Sequence, residues 1–288
     1  MNDERARILK MLEDGKITAE EAARLLEAIR IQPWESGMFP FGRKIRKGLE
    51  QMPEIFSNVS KLIAEAVEAE FRGKGKITES SFGKKERVEI KTVSGDIEIE
   101  GWDKEEILLK LSGITQTNEH NNQLDLNVIS GEVKVKLPKD TQLKLSSVSG
   151  DWEIEEVEGE LEIRTISGDI ELKEVKGVAV INTISGDIDG KELNGNFLVK
   201  SQSGDIDLAF KGVRQGELET KSGDITLALP KDANLVLELA AETGAIDLAI
   251  PEPFEKIETS KGYWKIGLGN KEGKLICRTE SGDIEIKG

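Results

Sequence analysis

Residues 164–193 read RTISGDIELKEVKGVAVINTISGDIDGKEL, and apolar residues alternate with polar ones through most of that stretch. Ile170 and Leu172 fall on one side of an extended chain, while Asp169, Glu171 and Lys173 fall on the other. The segment GELEIRT repeats the logic, with Leu161 and Ile163 inward and Glu160, Glu162 and Arg164 outward. A period of two predicts strands with one buried face. Glycine punctuates the alternation at Gly150, Gly159, Gly168, Gly177, Gly186, Gly195 and Gly204, an unbroken nine-residue ladder. Wider-spaced members are Gly95, Gly113 and Gly131 before it and Gly223, Gly244 and Gly282 after it. Glycine supplies the positive φ of a sharp corner at little steric cost.

Alternating strands joined by glycine corners fit either an antiparallel meander or a β-solenoid of stacked coils. The near-constant repeat favours the solenoid, because stacking sets like residue above like and each coil meets only its neighbours. Thr92, Ser147, Thr165, Thr183, Ser201, Thr220 and Thr279 all stand two residues before the Ser-Gly pair of their corner, a column that a meander has no reason to keep. The expectation is a mainly β protein whose residues 86–288 form a β-solenoid with about 18 residues and two strands per coil. At ~4.8 Å per coil, roughly eleven coils would make a rod about 50 Å long. The stretch ESGDIEIKG reads as a half-coil with nothing after it, so that end of the rod is either paired with another molecule or covered by an earlier part of the chain.

Before residue 86 the period changes. Residues 1–32 read as a helical hairpin whose second helix, ITAEEAARLLEAI, carries a capping box at Thr18 and Glu21 and an apolar stripe of Ala22, Leu25, Leu26 and Ile29. So short a unit must dock on something, either its own kind or a partner. Residues 33–85 read as an irregular linker, broken by Pro33, Gly37, Pro40 and Gly42, and then an amphipathic helix over 54–71. In the linker Arg43, Lys44, Arg46 and Lys47 stand near Trp34, Met38, Phe39 and Phe41. Aromatic residues beside a basic cluster suit peripheral contact of 33–71 with an anionic membrane. The plainer reading is that the helix covers the first coil.

Charge and composition then narrow the function classes. The 288 residues carry a net charge of -15, which disfavours nucleic acid as a partner. One cysteine, Cys277, allows no intramolecular disulfide, and the opening MNDERARILKMLEDGK has no apolar core of a secretory signal. With no transmembrane helix in the pattern, the expected location is cytoplasmic, with peripheral membrane contact as the addition.

Candidate chemistry is sparse. Asp151, Asp169, Asp187 and Asp205 belong to an acidic column that also takes in Asp96, Asp224 and Asp283, beside a second column of Glu98, Glu153, Glu171, Asp189, Asp207 and Glu285. Carboxylate rows bind hard cations such as Ca²⁺, but an aspartate that bonds its own corner backbone and faces water explains the column without metal. Val93, Val148, Ile166 and Ile184 form an outward apolar column, which is either a docking strip for the N-terminal helices or a second packing layer at the corner. Tyr263 and Trp264 lie in an insertion that breaks the repeat, PEPFEKIETSKGYWKIGLGN, read as a binding face or a loop folded over the rod. His120 has no second histidine, Cys277 has no base nearby in sequence, and no phosphate-binding loop follows a strand, so neither an enzyme nor a cofactor is expected.

The stretch GDIEIEGWDKEEILLK, followed by recurring TVSGD and TISGDIEL coils, resembles the bacterial "putative adhesin" β-solenoid family of unknown function. The opening ILKMLEDGKITAEEAARLLEAI is similar to the SHOCT-like helical hairpin that precedes such a rod in YvlB/LiaX-like proteins. The resemblance implies a non-enzymatic protein linked to the bacterial envelope or its stress response, and SHOCT-like hairpins are associated with oligomerisation. It brings no catalytic or ligand residues with it. The expected function is therefore a scaffold that joins copies of itself or an envelope-associated protein through the N-terminal helices; the alternative is a cation- or carbohydrate-binding, adhesin-like module.

Overall fold

Alternation in the sequence becomes alternation in burial: along VKVKLP the inward valines are buried and the outward lysines exposed. The computed structural model describes residues 77–288. The chain divides into two units, Met1–Lys61 and Leu62–Gly288, and every described residue belongs to the second. Its strands are β1 (Thr78–Gly83), β2 (Arg87–Thr92), β3 (Ile97–Trp102), β4 (Glu106–Leu111), β5 (Ile114–His120), β6 (Gln123–Ser130) and β7 (Val133–Pro138). Then come β8 (Gln142–Ser147), β9 (Trp152–Glu155), β10 (Glu158–Thr165), β11 (Ile170–Lys173), β12 (Lys176–Asn182), β13 (Ile188–Lys200) and β14 (Ile206–Ser222). The remainder are β15 (Ile225–Ala228), β16 (Leu235–Thr243), β17 (Ile246–Ala249), β18 (Glu255–Ser260), β19 (Tyr263–Leu268), β20 (Gly273–Ser281) and β21 (Ile284–Lys287).

These strands build a mainly β, parallel-rich, solenoid-like unit in two layers. In the first layer the parallel order is β6, β2, β8, β10, β12, the second halves of β13 and β14, β20 and β16. In the second layer it is β7, β3, β9, β11, the first halves of β13 and β14, β15, β21 and β17. One strand from each layer makes a row. In the middle, rows follow the repeat: Ile170 is level with Trp152 and with Ile188, eighteen residues to either side. The inward faces meet in one core, where the Trp152 ring is buried and its Nε1 donates to Ser147 Oγ at 2.9 Å.

Three expectations need correction. First, stacking does not follow chain order at the ends. The row of β2 and β3 lies inside that of β6 and β7, and the row of β20 and β21 lies inside that of β16 and β17. The stretch ESGDIEIKG is thus an interior half-row, covered by an earlier part of the chain. Second, there are nine rows, not about eleven, because the extra length makes antiparallel strands. Strand β5 covers β6; β4 covers β7 and is itself covered by β1; β19 covers β16 and is covered by β18. Third, strand structure begins at Thr78, inside the segment 33–85 read as linker and helix. Added antiparallel strands satisfy backbone groups that an end row would leave open. Among the strands of the two end rows β17 keeps one partner, β21; it is only four residues long and is followed by Pro251 and Pro253.

Candidate functional site

The glycine corner is where the rows come closest. Gly186 has φ +123°, and a Cβ there would sit 2.2 Å from the carbonyl oxygen of Gly168. The same contact links Gly131, Gly95, Gly150, Gly168, Gly186, Gly204, Gly223, Gly282 and Gly244 in spatial order. Glycine is required here by close approach as well as by conformation. The other corner uses Gly159, Gly177 and Gly195, but three residues before each it also puts Glu156, Glu174 or Glu192 at positive φ, at a cost of about 1–2 kcal/mol per residue.

Asp151, Asp169, Asp187 and Asp205 stand beside the glycine column, and their carboxylates form a ladder. Asp151 Oδ1 accepts from the Asp169 amide at 2.9 Å, Asp169 Oδ1 from Asp187, Asp187 Oδ1 from Asp205, and Asp205 Oδ1 from Asp224 at 2.8 Å. It continues through Asp283 to the Ala245 amide. Each aspartate therefore bonds the next row, not its own corner. A neutral amide hydrogen bond contributes about 1 kcal/mol net, and one to a charged acceptor more. No group of three or more His, Cys, Asp or Glu able to hold a metal ion occurs among the described residues. The threonine column lies just inside the corner and is buried: Thr165 Oγ1 donates to Ser167 O at 3.0 Å and Thr183 Oγ1 to Ser185 O at 3.1 Å.

On the outer face of the second layer Glu98, Glu153, Glu171, Asp189 and Asp207 are level with one another. Burial, and then the carboxylates of Asp207, Asp187 and Glu171, hold the Asp189 carboxyl above its ordinary range.

The outer face of the first layer differs. Val148 and Ile166 are buried, while Ile184 is only half-buried. Leu198 and Ile276 are buried too, yet none of these four buried residues belongs to the core cluster. Leu198 and Ile276 escaped the sequence reading, although their apolar type at an outward position was a signal that could have found them.

Tyr263 and Trp264 lie on β19, level with Ala240 and Leu239 of β16. The insertion is not a loop folded over the rod but a hairpin that widens the sheet, with Trp264 packed against the core and Lys256 Nζ 5.6 Å from its ring. Glu238 on β16 receives Lys265 at 2.9 Å and Lys274 at 3.0 Å. Burial raises its proton affinity, but the hydrogen bonds from the two lysines outweigh that and hold the carboxyl below its ordinary range. A cleft of about 340 Å³ beside this end is lined by Pro230, Lys231, Asn234, Pro251 and Glu252 among others. Cys277 is fully buried in the core, and burial pushes its thiol pKa up. His120 is exposed at the end of β5, 3.9 Å from Asp125. Leu25, Leu26, Ile29, Trp34, Phe39, Phe41, Arg43, Lys44, Arg46 and Lys47 lie outside the described residues.

Two comparisons bear on this arrangement. The family described as Toastrack DUF4097 matches residues 76–179 and again 159–287, and a SHOCT-like domain matches residues 3–32. No curated protein matches the chain. Among solved structures, a "putative lipid binding protein" from Parabacteroides distasonis is 17% identical, with a TM-score of 0.42, over 75% of this chain and 98% of that one. A "putative cell adhesion protein" from Clostridium sporogenes is 16% identical, with a TM-score of 0.31, over 74% and 99%. A "putative adhesin" from Bacteroides fragilis is 14% identical, with a TM-score of 0.35, over 74% and 96%.

Proposed function

From the premise that this chain belongs to the Toastrack DUF4097 family, with a SHOCT-like domain before the strands, we propose that it is a non-catalytic scaffold linked to the bacterial envelope or its stress response. The stack is the rigid part. The SHOCT-like domain joins copies of the chain or an envelope-associated protein, and 33–71 adds peripheral contact with anionic lipid from the cytoplasmic side. The observation that carries this reading is the aspartate ladder: the most regular polar feature of the described residues binds row to row within the molecule. That is how a part built for stiffness treats its polar groups, and it leaves recognition to the segments outside the repeat.

Light scattering on the full chain and on one lacking residues 1–72 tests the first half of the proposal. Self-association that disappears with the deletion supports it; two monomers, neither of which binds any envelope fraction, sink it. Flotation with phosphatidylglycerol and phosphatidylcholine vesicles tests the second half. A second reading, a cation- or carbohydrate-binding module, draws on the level carboxylates around Asp189, whose proton affinity is raised by burial first and then by the neighbouring carboxylates, a repulsion that a bound cation would relieve. Calorimetry with Ca²⁺ separates the two, since a scaffold gives no heat.

A further inference from the structure

Among the described residues four strands end the two layers: β5 and β18 in the first, β1 and β17 in the second. An edge strand meets water, and proteins blunt such edges with polar or charged residues turned inward. Three of the four follow that rule. Thr117 and Glu119 of β5 stand level with the buried Leu126 and Leu124, Ser80 of β1 with Leu109, and Lys256 of β18 with Ile266. Strand β1 adds one inward apolar residue, Phe82, near its end. Strand β17 breaks the rule. Its inward residues Ile246 and Leu248 are level with the fully buried Ile284 and Ile286, yet are themselves half-buried. That is the pattern of an interior strand with a neighbour missing.

The backbone agrees. Ile284 N donates to Ala245 O at 2.9 Å and Gly288 N to Ala249 O at 3.1 Å, so these residues turn their peptide groups toward β21. Direction alternates along a strand of a parallel ladder, which leaves the N–H and C=O of Ile246 and Leu248 facing the open edge. Beyond β17 the second layer stops, while the first continues past β16 through β19 and β18. The overhang is two strands wide, about 10 Å at the usual strand spacing. Trp264 and Lys256 are on its inner side. Lys256 Nζ lies 5.6 Å from the Trp264 ring and 5.9 Å from the Phe254 ring, and among the described residues no carboxylate comes within ion-pair distance of it.

We propose that β17 accepts a short extended segment of a partner protein, added as one more strand of the second layer beneath the β18–β19 hairpin. Its chemistry follows from what it meets: apolar residues at alternate positions against Ile246, Leu248 and Trp264, and a carboxylate for Lys256. Pro251 has no N–H to offer, so the pairing is confined to Ile246–Ile250 and a short segment fills it. A second copy of the chain does not fit. Pairing β17 antiparallel with its twin in one sheet relates the copies by a two-fold axis normal to that sheet, which swings both overhanging hairpins into the same space. The site goes beyond the scaffold reading, since it uses neither the SHOCT-like domain nor 33–71 and lies at the end where the repeat stops.

The test titrates the full chain with the acetylated hexapeptide Thr-Val-Thr-Val-Thr-Glu and follows amide hydrogen exchange by NMR. Exchange at Ile246 and Leu248 should slow about tenfold or more at saturation, while Asp247 and Ala249, already bonded to β21, should not change. Leu248→Lys, which turns a charge inward as the other edges do, should weaken binding by about tenfold or more; Thr117→Lys, on the β5 edge, should leave it as it was. The same peptide ending in Gln should bind the parent more weakly than the Glu peptide does, and the two should bind Lys256→Gln equally. Unchanged exchange at Ile246 and Leu248 under millimolar peptide overturns the proposal, as do equal affinities of the Leu248→Lys and Thr117→Lys variants. Protection of those two amides without peptide, rising with protein concentration, makes a second copy the occupant and overturns it too. Each readout is independent of residues 1–72, so the scaffold proposal stands or falls separately.

Discussion

The middle of the stack and its two ends obey different rules. Middle rows repeat one sentence: a buried Thr or Ser, a Ser-Gly corner, then an Asp whose carboxylate accepts from the next row's amide. End rows drop those words. Where the middle has the hydroxyl column, the β6 row has Val128 and the β16 row has Ala241. Where the middle has aspartate, the β6–β7 row has Glu132 and the β16–β17 row has Ala245. Ala245 donates its amide to Asp283 but has no row beyond it to receive from, so a carboxylate there would have no partner. The difference teaches that the repeat encodes contact with a neighbour: a residue type persists only where there is a row for it to touch. Hairpins replace it where there is none.

The largest break in this comparison is topological. Ending the chain after Leu268 removes β20 and β21, which lie inside the stack, and separates β16 and β17 from β14 and β15. Circular dichroism melts should then show the cooperative transition broadened and lowered by well over ten degrees. Stacking in chain order would instead predict a small loss. Gly186→Ala comes next. Its Cβ meets backbone at 2.2 Å at a φ open essentially to glycine, so chemical denaturation should show a loss of about 3 kcal/mol or more. Gly83→Ala, in β1, meets nothing within 4 Å and should fall within about 0.5 kcal/mol of the parent.

Third, Asp187→Ala removes the acceptor for the Asp205 amide and should cost about 1 kcal/mol, with faster hydrogen exchange at Asp205. Placing Asp at the end, as Ala245→Asp, should change stability by less than about 0.5 kcal/mol. The smallest effect is in pH. Glu238, at the end, is depressed by its lysines, so the stability it contributes is present at neutral pH and lost as pH falls through its folded pKa. Asp189, in the middle, is raised, so its contribution is fully present below the unfolded pKa and is lost as pH rises toward the folded one. Hydrogen exchange at pH 7 and pH 3.5 should show acid loosening β16 and β19 relative to β11 and β13. Glu238→Gln should erase the β16 effect, and Asp189→Asn the opposing one.

Much of the candidate site was legible in the residues. The acidic and hydroxyl columns could be named without coordinates, because stacking at eighteen residues leaves an imprint on every row. Their bonding could not be read: an aspartate at a corner suits a bond to its own turn as well as one to the next row, and only row spacing decides. The buried outward residues of the first layer were legible in part. Val148 and Ile166 stood out as apolar residues in an outward slot, but Arg164 and Lys200, which are buried as well, look like ordinary surface charges in the sequence. Their burial depends on neighbours brought by the fold, which no local pattern carries.

By itself the sequence determined the strands of the stacked rows, their glycine corners and the parallel stacking of the middle, since each follows from a period of two inside a period of eighteen. Tertiary structure decided the order of the rows at the ends and which outward side chains are buried. A row can accept any neighbour that presents a matching edge, so backbone hydrogen bonding fixes the spacing and register while leaving chain order free. Closing the ends chose that order, because unpaired edges must be covered by whatever strands the chain can bring there.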